Sequence, residues 1–147
     1  MHDDLHESAN ALYSLISDFL RQQPRDMSLT SVSTLGTLRR MGPQRITALA
    51  GIQGVAQPSM TSLVGALEKS GHVRRRPDPA DRRATLVELT ELGMEYSLGR
   101  VERGTDRIVE LLGRLPDDQL RALVDATPAI RRLDELSQES PAAAGAK

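Results

Sequence analysis

The stretch from Gln57 to Thr90, QPSMTSLVGALEKSGHVRRRPDPADRRATLVELT, changes its apolar period partway along and so sets the architecture around it. Met60, Leu63, Val64 and Leu67 fall at i, i+3, i+4 and i+7, one apolar stripe on a helix that needs a core to cover it. Pro58 suits a first helical position, where its fixed φ fits and its missing N–H costs nothing, and Gly71 suits the stop. The other side carries Gln57, Ser59, Thr61, Ser62 and Gly65, small or polar groups that let a helix approach a surface closely. After Gly71 the period becomes two. Val73, and then Thr85, Val87 and Leu89, fit two short strands, and Pro77-Asp78-Pro79-Ala80-Asp81 between them can continue neither.

The tip of that hairpin is charged. Between residues 69 and 83 stand Lys69, Arg74, Arg75, Arg76, Arg82 and Arg83 against Asp78 and Asp81, a local +4 in a chain of net −1, which leaves −5 for the remainder. Arginine gathered on one element of an otherwise acidic protein is the footprint of a phosphate-backbone contact. A solvated hairpin would give the same run. The helix directly before it favours the phosphate reading.

Asp81-Arg82-Arg83-Ala84, followed by Val87-Glu88-Leu89-Thr90 and Gly93, resembles the D-x-R wing and closing L-T-x-x-G of the MarR-type winged helix-turn-helix transcriptional regulators. Pro58-Ser59-Met60-Thr61, Leu67-Glu68-Lys69-Ser70-Gly71 and Arg76-Pro77-Asp78-Pro79 extend the resemblance over the middle third, and the helical flanks agree in length and order. The resemblance implies a mainly α fold with a two-stranded β wing and N- and C-terminal dimerisation helices. It also implies duplex-DNA binding as a homodimer and control by a small aromatic or amphipathic effector.

Upstream, Leu5, Ala9, Leu12, Ile16, Phe19 and Leu20 keep helical spacing over about 5–23, with Pro24 beyond. Ser28 is placed to cap a second helix carrying Leu29, Val32, Leu35 and Leu38. Ile46, Leu49, Ala50 and Ile52 outline a short helix, and Gly54-Val55 supplies a tight turn before the quoted helix, the order of a helix-turn-helix. Downstream, Thr90 suits the N-cap of a long helix to about Leu115, with Met94, Leu98, Val101, Ile108 and Leu112 on one face. Pro116 opens a last helix to Leu136, and Pro128 inside it should kink or break it. The expected organisation is one domain over 1–136, with a DNA-binding lobe at about 29–90, dimerisation helices at about 5–23 and 91–136, and a disordered tail at 137–147. The apolar stripes of the outer helices exceed what a compact winged domain can hide, which favours a dimer over packing within one subunit.

In a helix-turn-helix the N-terminal residues of the second helix meet base edges. That places Gln57, Pro58, Ser59, Thr61 and Ser62 at the DNA, with Gln57 suited to adenine. The resemblance places Arg82 at or near the minor groove, with Asp81 holding the wing in shape; a surface ion pair is the alternative. Arg83, Arg74 and Arg76 are expected at phosphates, although alternate strand residues face opposite sides. No Lys or Arg precedes Lys69 on the helix, so DNA shape and the wing should carry part of the sequence choice. Tyr13, Ile16 and Leu38 are candidates to line an effector pocket, and they read equally well as core.

No cysteine is present, which excludes disulfides and thiolate metal sites within the chain. No apolar run approaches the roughly 20 residues of a membrane span. The acidic MHDDLHES start has no apolar signal core, and cytoplasmic residence is expected. Three aromatics, Tyr13, Phe19 and Tyr96, are too few for a base-stacking single-strand binder. No phosphate-cradling glycine loop or nucleophile motif is present, so neither an enzyme nor a cofactor is expected. His2 and His6 share a helical face at a metal-compatible spacing, although a frayed terminus explains them as well. Two other readings remain: a winged-helix module for protein contact, and a small ligand- or metal-binding helical protein.

Overall fold

The computed structural model describes residues 1–139, except the side chain of His2. Its elements run α1 (His2–Arg21), α2 (Leu29–Met41), β1 (Gln44–Arg45), α3 (Ile46–Gln53), α4 (Gln57–Lys69), β2 (Val73–Pro77), β3 (Thr85–Leu89), α5 (Glu91–Leu112), α6 (Asp117–Asp125) and α7 (Thr127–Glu139). The strands form one antiparallel sheet in the order β1-β3-β2.

The core sits where α2, α3, α4 and the sheet converge. Leu35, Leu38, Leu49, Met60, Val64, Leu67, Val73 and Val87 are buried there. The stripe read from the sequence of α4 is therefore the face that packs inward, and Val73 and Val87 come from the strands by the period of two. Polar groups inside are satisfied locally. Thr34 donates to the Thr30 carbonyl at 2.8 Å, and Gln53 donates to the Thr37 hydroxyl at 3.1 Å, which fastens α3 to α2.

Helix boundaries follow the expected chemistry. The Ser28 hydroxyl accepts from the Ser31 amide at 3.1 Å and caps α2. Gly54 takes the left-handed conformation between α3 and α4 (φ 63). At the end of α4, Gly71 (φ 81) closes a double cap in which the His72 amide donates to the Leu67 carbonyl at 2.9 Å and the Gly71 amide to Glu68 at 3.0 Å. The next junction explains the L-T-x-x-G sequence. Thr90 Oγ1 donates to the Gly71 carbonyl at 2.5 Å and accepts from the Gly93 amide at 3.1 Å, so one side chain caps α5 and ties it to the end of α4. A Cβ on Gly93 would stand 1.9 Å from the His72 carbonyl oxygen, so only glycine fits.

Three boundaries differ from the expectation. The wing is joined by a third strand: Gln44 and Arg45 pair with Val87 and Leu86, two residues too short to register as an apolar alternation. The last helix is broken rather than kinked, with Ala126 ending α6 and Pro128 in the first turn of α7, where its missing amide leaves no bond unmade. Residues 137–139 belong to α7, so a tail beginning at 137 starts too early; the rest of that expected tail lies outside the described residues.

Outside the lobe, α1 and α5 cross where Phe19 meets Gly104; a Cβ there would lie 3.5 Å from the ring. Arg107 donates to the Gln22 side chain at 2.7 Å. The α1–α2 linker is held by Asp26, which accepts from the Tyr96 hydroxyl at 2.9 Å and from Arg100 at 3.2 Å.

Candidate nucleic-acid interface

Helix α4 turns Met60, Val64 and Leu67 into the core, so its helical period places Pro58, Ser62, Gly65 and Lys69 outward. Gln57, Pro58, Ser59, Thr61 and Ser62 are all exposed. The Thr61 hydroxyl donates to the Gln57 carbonyl at 2.9 Å, which occupies its proton and leaves both oxygen lone pairs able to accept. Gln57, Ser59 and Ser62 make no side-chain bond within the described residues, so their donors and acceptors are available to another surface.

The wing divides its arginines into two sets. Arg74 and Arg76 project from one face of β2, and each donates through Nε to Glu88 of β3 at 2.7 Å. Their fork holds the Glu88 carboxyl below the usual carboxylate range, chiefly through Arg74 and then Arg76. Arg75 faces the other way and pairs with Glu68 of α4 at 3.3 Å. Of the site residues read from the sequence, Arg74 and Arg76 thus each have Nε engaged by a cross-strand partner, while among the described residues no bond is made by their Nη groups. The signal was Glu88, which faces Arg74 in the antiparallel register, but registers are not visible before the hairpin turn is known.

Arg82 and Arg83 form the second set. Both are exposed, and among the described residues neither side chain makes a hydrogen bond or ion pair. They ride on a closed loop. Asp78 donates its amide to the Ala84 carbonyl at 2.9 Å, Asp81 donates its own to the Asp78 carbonyl at 3.2 Å, and Ala84 donates to the Asp81 carbonyl at 2.8 Å. Asp81 Oδ1 accepts from the Arg83 amide at 3.0 Å, so Asp81 shapes the turn that displays the arginines.

Sequence reasoning missed Arg45, whose side chain reaches Asp78 across 33 positions with Nε at 2.9 Å and Nη2 at 2.6 Å from Oδ2. Asp78 is buried, and its carboxyl is held below the usual range first by the Ala80 amide and then by Arg45. No local pattern marks a contact of that separation.

The proposed effector residues do not converge. Leu38 is part of the lobe core, and Tyr13 projects from α1 with 74% of its surface exposed. Ile16 lines an apolar cavity of about 390 Å³ with Phe19, Leu111, Leu115 and Leu123. A second cavity of about 400 Å³ lies between α1, α2 and α5, floored by Phe19, Val32, Leu35 and Val101 and walled by Arg39, Tyr96, Ser97 and Arg100. His72 is a packing residue: its ring meets Tyr96 edge-on at 5.3 Å, and Nδ1 lies 2.8 Å from the Ser70 hydroxyl. The considered His2–His6 pairing rests on a side chain outside the described residues. No helix among those described is long and apolar enough to cross a membrane.

Comparisons with known proteins agree with this geometry. The family model described as "MarR family" matches residues 27–85, the lobe that carries α4 and the wing. The uncharacterised HTH-type transcriptional regulator ML2140 of Mycobacterium leprae is 34% identical over 121 residues, covering 82% of each chain. The HTH-type transcriptional repressor NicR of Pseudomonas putida is 37% identical over 83 residues, 55% of this chain and 52% of its own. The transcriptional regulator Tm0710 of Thermotoga maritima superposes with a TM-score of 0.76 at 25% identity, covering 94% of this chain and 99% of its own. With an outward polar reading helix, a basic wing and relatives of matching length, the chain belongs to the MarR family of DNA-binding, helix-turn-helix transcriptional regulators.

Proposed function

We propose that the protein is a homodimeric repressor that binds a pseudo-palindromic duplex operator. In this reading Gln57, Pro58, Ser59, Thr61 and Ser62 meet base edges, and Arg82 and Arg83 meet the backbone or minor groove beside them. The observation that carries it is the unpaired state of Arg82 and Arg83 on a tip whose other charged side chains are bonded. Guanidinium groups held ready without an internal carboxylate are those that phosphate can claim without breaking an existing pair. Arg74 and Arg76 contribute field rather than contact. Repression is supported by the likeness to NicR.

Dimerisation is supported by the apolar surfaces of α1, α5, α6 and α7, where Leu12, Ile16, Leu98, Ile108, Ile130 and Leu133 are exposed. An apolar surface of that extent marks an interface. A two-fold axis through it would set two reading helices about 34 Å apart, one turn of duplex. The cavity between α1, α2 and α5 touches both the winged lobe and the outer helices, so a small amphipathic ligand filling it would release DNA if it prefers a spacing that does not fit the duplex. Regulation of this kind puts the protein with the DNA, in the cytoplasm.

The test is a titration against the duplex immediately upstream of the coding sequence at two salt concentrations. Each phosphate contact contributes about −0.9 to the slope of log affinity against log salt, so the wild type should show a steep slope. Arg82→Ala should weaken binding about tenfold and flatten the slope by about one contact per protomer. A wild type that ignores duplex DNA at low salt would leave the wing to an acidic protein partner.

A further inference from the structure

Arg45 is the one side chain that fastens the wing tip to the helical part of the lobe, among the described residues. It stands where β1 hands over to α3, with its backbone paired to Leu86 and acting as N-cap of the helix. Both Nε and Nη2 converge on Asp78 Oδ2, while Oδ1 of the same carboxylate accepts from the Ala80 amide at 2.9 Å. The two oxygens of Asp78 thus divide the work, Oδ1 closing the turn and Oδ2 tying that turn to α3. Asp81, the other acid of the tip, lies 4.0 Å from Arg45 Nη2. The remaining bonds of residues 78–84 stay inside the loop or run along the strands.

We propose that Arg45 is a positioning residue for DNA recognition, whose fork on Asp78 fixes the wing tip relative to the helix-turn-helix so that Arg82 and Arg83 and the outward face of α4 meet one duplex together. This rests on the reading that the wing arginines contact DNA. Without the clamp the loop 78–84 is held only by its own turn bonds and by the ends of β2 and β3, and the arginines must be ordered on binding, which costs affinity. A lysine would not serve, because a point charge lacks the planar fork that fixes direction. The clamp acts on orientation more than on stability: its arginine is 46% exposed, and the Asp78 carboxylate is held first by the Ala80 amide, which every clamp variant keeps.

The competing possibility is that Arg45 touches a phosphate itself, and the sign of one substitution separates the two. Asp78→Asn keeps an oxygen for the Ala80 amide but removes a negative charge from the DNA face. Simple electrostatics then expects tighter binding, whereas loss of the clamp expects weaker binding. The experiment uses a duplex selected by the wild type from a random library. Asp78→Asn and Arg45→Ala should each weaken it about fivefold, the double variant should be no worse than either, and both effects should vanish in an Arg82→Ala/Arg83→Ala background, as groups sharing one path do. Arg45→Lys should fall with Arg45→Ala.

A second readout needs no DNA. The chain has no cysteine, so Ala80→Cys carries a single spin label on the wing tip. Label mobility should rise in Arg45→Ala and Asp78→Asn while the melting temperature moves by less than about 2 °C. Unchanged mobility overturns the clamp, and so does Asp78→Asn binding as tightly as the wild type. If the wild type selects no duplex, the DNA reading fails, and label mobility alone decides whether Arg45 holds the wing.

Discussion

Two regions of this chain solve the burial problem in opposite ways. The apolar side chains that are buried in the described residues lie between Leu35 and Val87, inside the winged lobe. By contrast α6 and α7 bury no residue, α5 buries only Gly93 and Ser97, both near its lobe end, and α1 exposes Leu5, Leu12, Tyr13, Leu15, Ile16 and Leu20. The lobe has a closed core within one chain. The helices present the stripe of a core with half its walls missing, and isolated helices gain most of their stability from such packing. In the dimer proposed above, the reading surface would be set within each subunit and the spacing between subunits by the less self-sufficient part.

The contrast breaks most visibly if the helical surface is charged. Leu133→Glu buries an unpaired carboxylate in any dimer seam that uses α7, and a penalty of about 3 kcal/mol raises the dimer dissociation constant roughly a hundredfold. Sedimentation equilibrium should find monomers whose lobes keep their far-ultraviolet signature; a variant that still dimerises removes α7 from the interface. Leu49→Ala strikes the other region. Its side chain is fully buried, and the change should cost about 3 kcal/mol in urea unfolding at every protein concentration. Leu133→Ala should act differently, with a loss whose size depends on protein concentration because it passes through association.

The boundary between the regions is sharpened by Gly93→Ala. The added methyl meets backbone, the His72 carbonyl, which has no rotamer to yield. A cost of about 2 kcal/mol is expected, with α5 displaced from the Thr90 and Gly71 junction. Protection of the Gly71 and His72 amides against hydrogen exchange should fall in step. A neutral Gly93→Ala would mean that α5 slides freely on the lobe, and that the two regions are coupled less tightly than their shared cap implies.

The sequence made the lobe legible and the site only partly so, and the reason is distance along the chain. Met60, Val64 and Leu67 declare their inward face by a period of 3.6, Ser28 and Thr90 act as caps within three positions, and Gly71 ends a helix by its own geometry. Each signal is local and reads directly. Glu88 and Arg45 are not local: their partners lie 12 to 33 positions away, so neither the Glu88 fork nor the reach of Arg45 leaves a sequence signal. The scatter of the expected effector residues has a related reason. Tyr13 and Leu38 lie on helices of correct register, but the rotation of one helix about its axis relative to another decides which residues share a cavity, and periodicity leaves that rotation open.

The smallest expected effect concerns acid. Glu88, Asp78 and Asp26 are each held below the usual carboxylate range, by the Arg74 side chain, the Ala80 amide and the Tyr96 hydroxyl respectively as the largest cause. The folded state therefore binds fewer protons than the unfolded one around pH 4. The stability these groups contribute is present above the ordinary carboxylate pKa of about 4 and is lost as pH falls through the lowered folded values. Glu88→Gln should be slightly less stable than the wild type at pH 7, and the two urea midpoints should converge once the pH has fallen below the lowered native value, where the folded carboxyl is also protonated. Salt should shrink the gap at pH 7, because Arg74 is 68% exposed and its attraction is screened. Asp18→Asn is the control from the helical region: its pair with Arg21 is exposed on both sides, and its loss should leave both midpoints unmoved. A gap for Glu88→Gln that stays constant as the solution is acidified would assign Glu88 to packing between β2 and β3 rather than to charge, and the wing would then be held by shape.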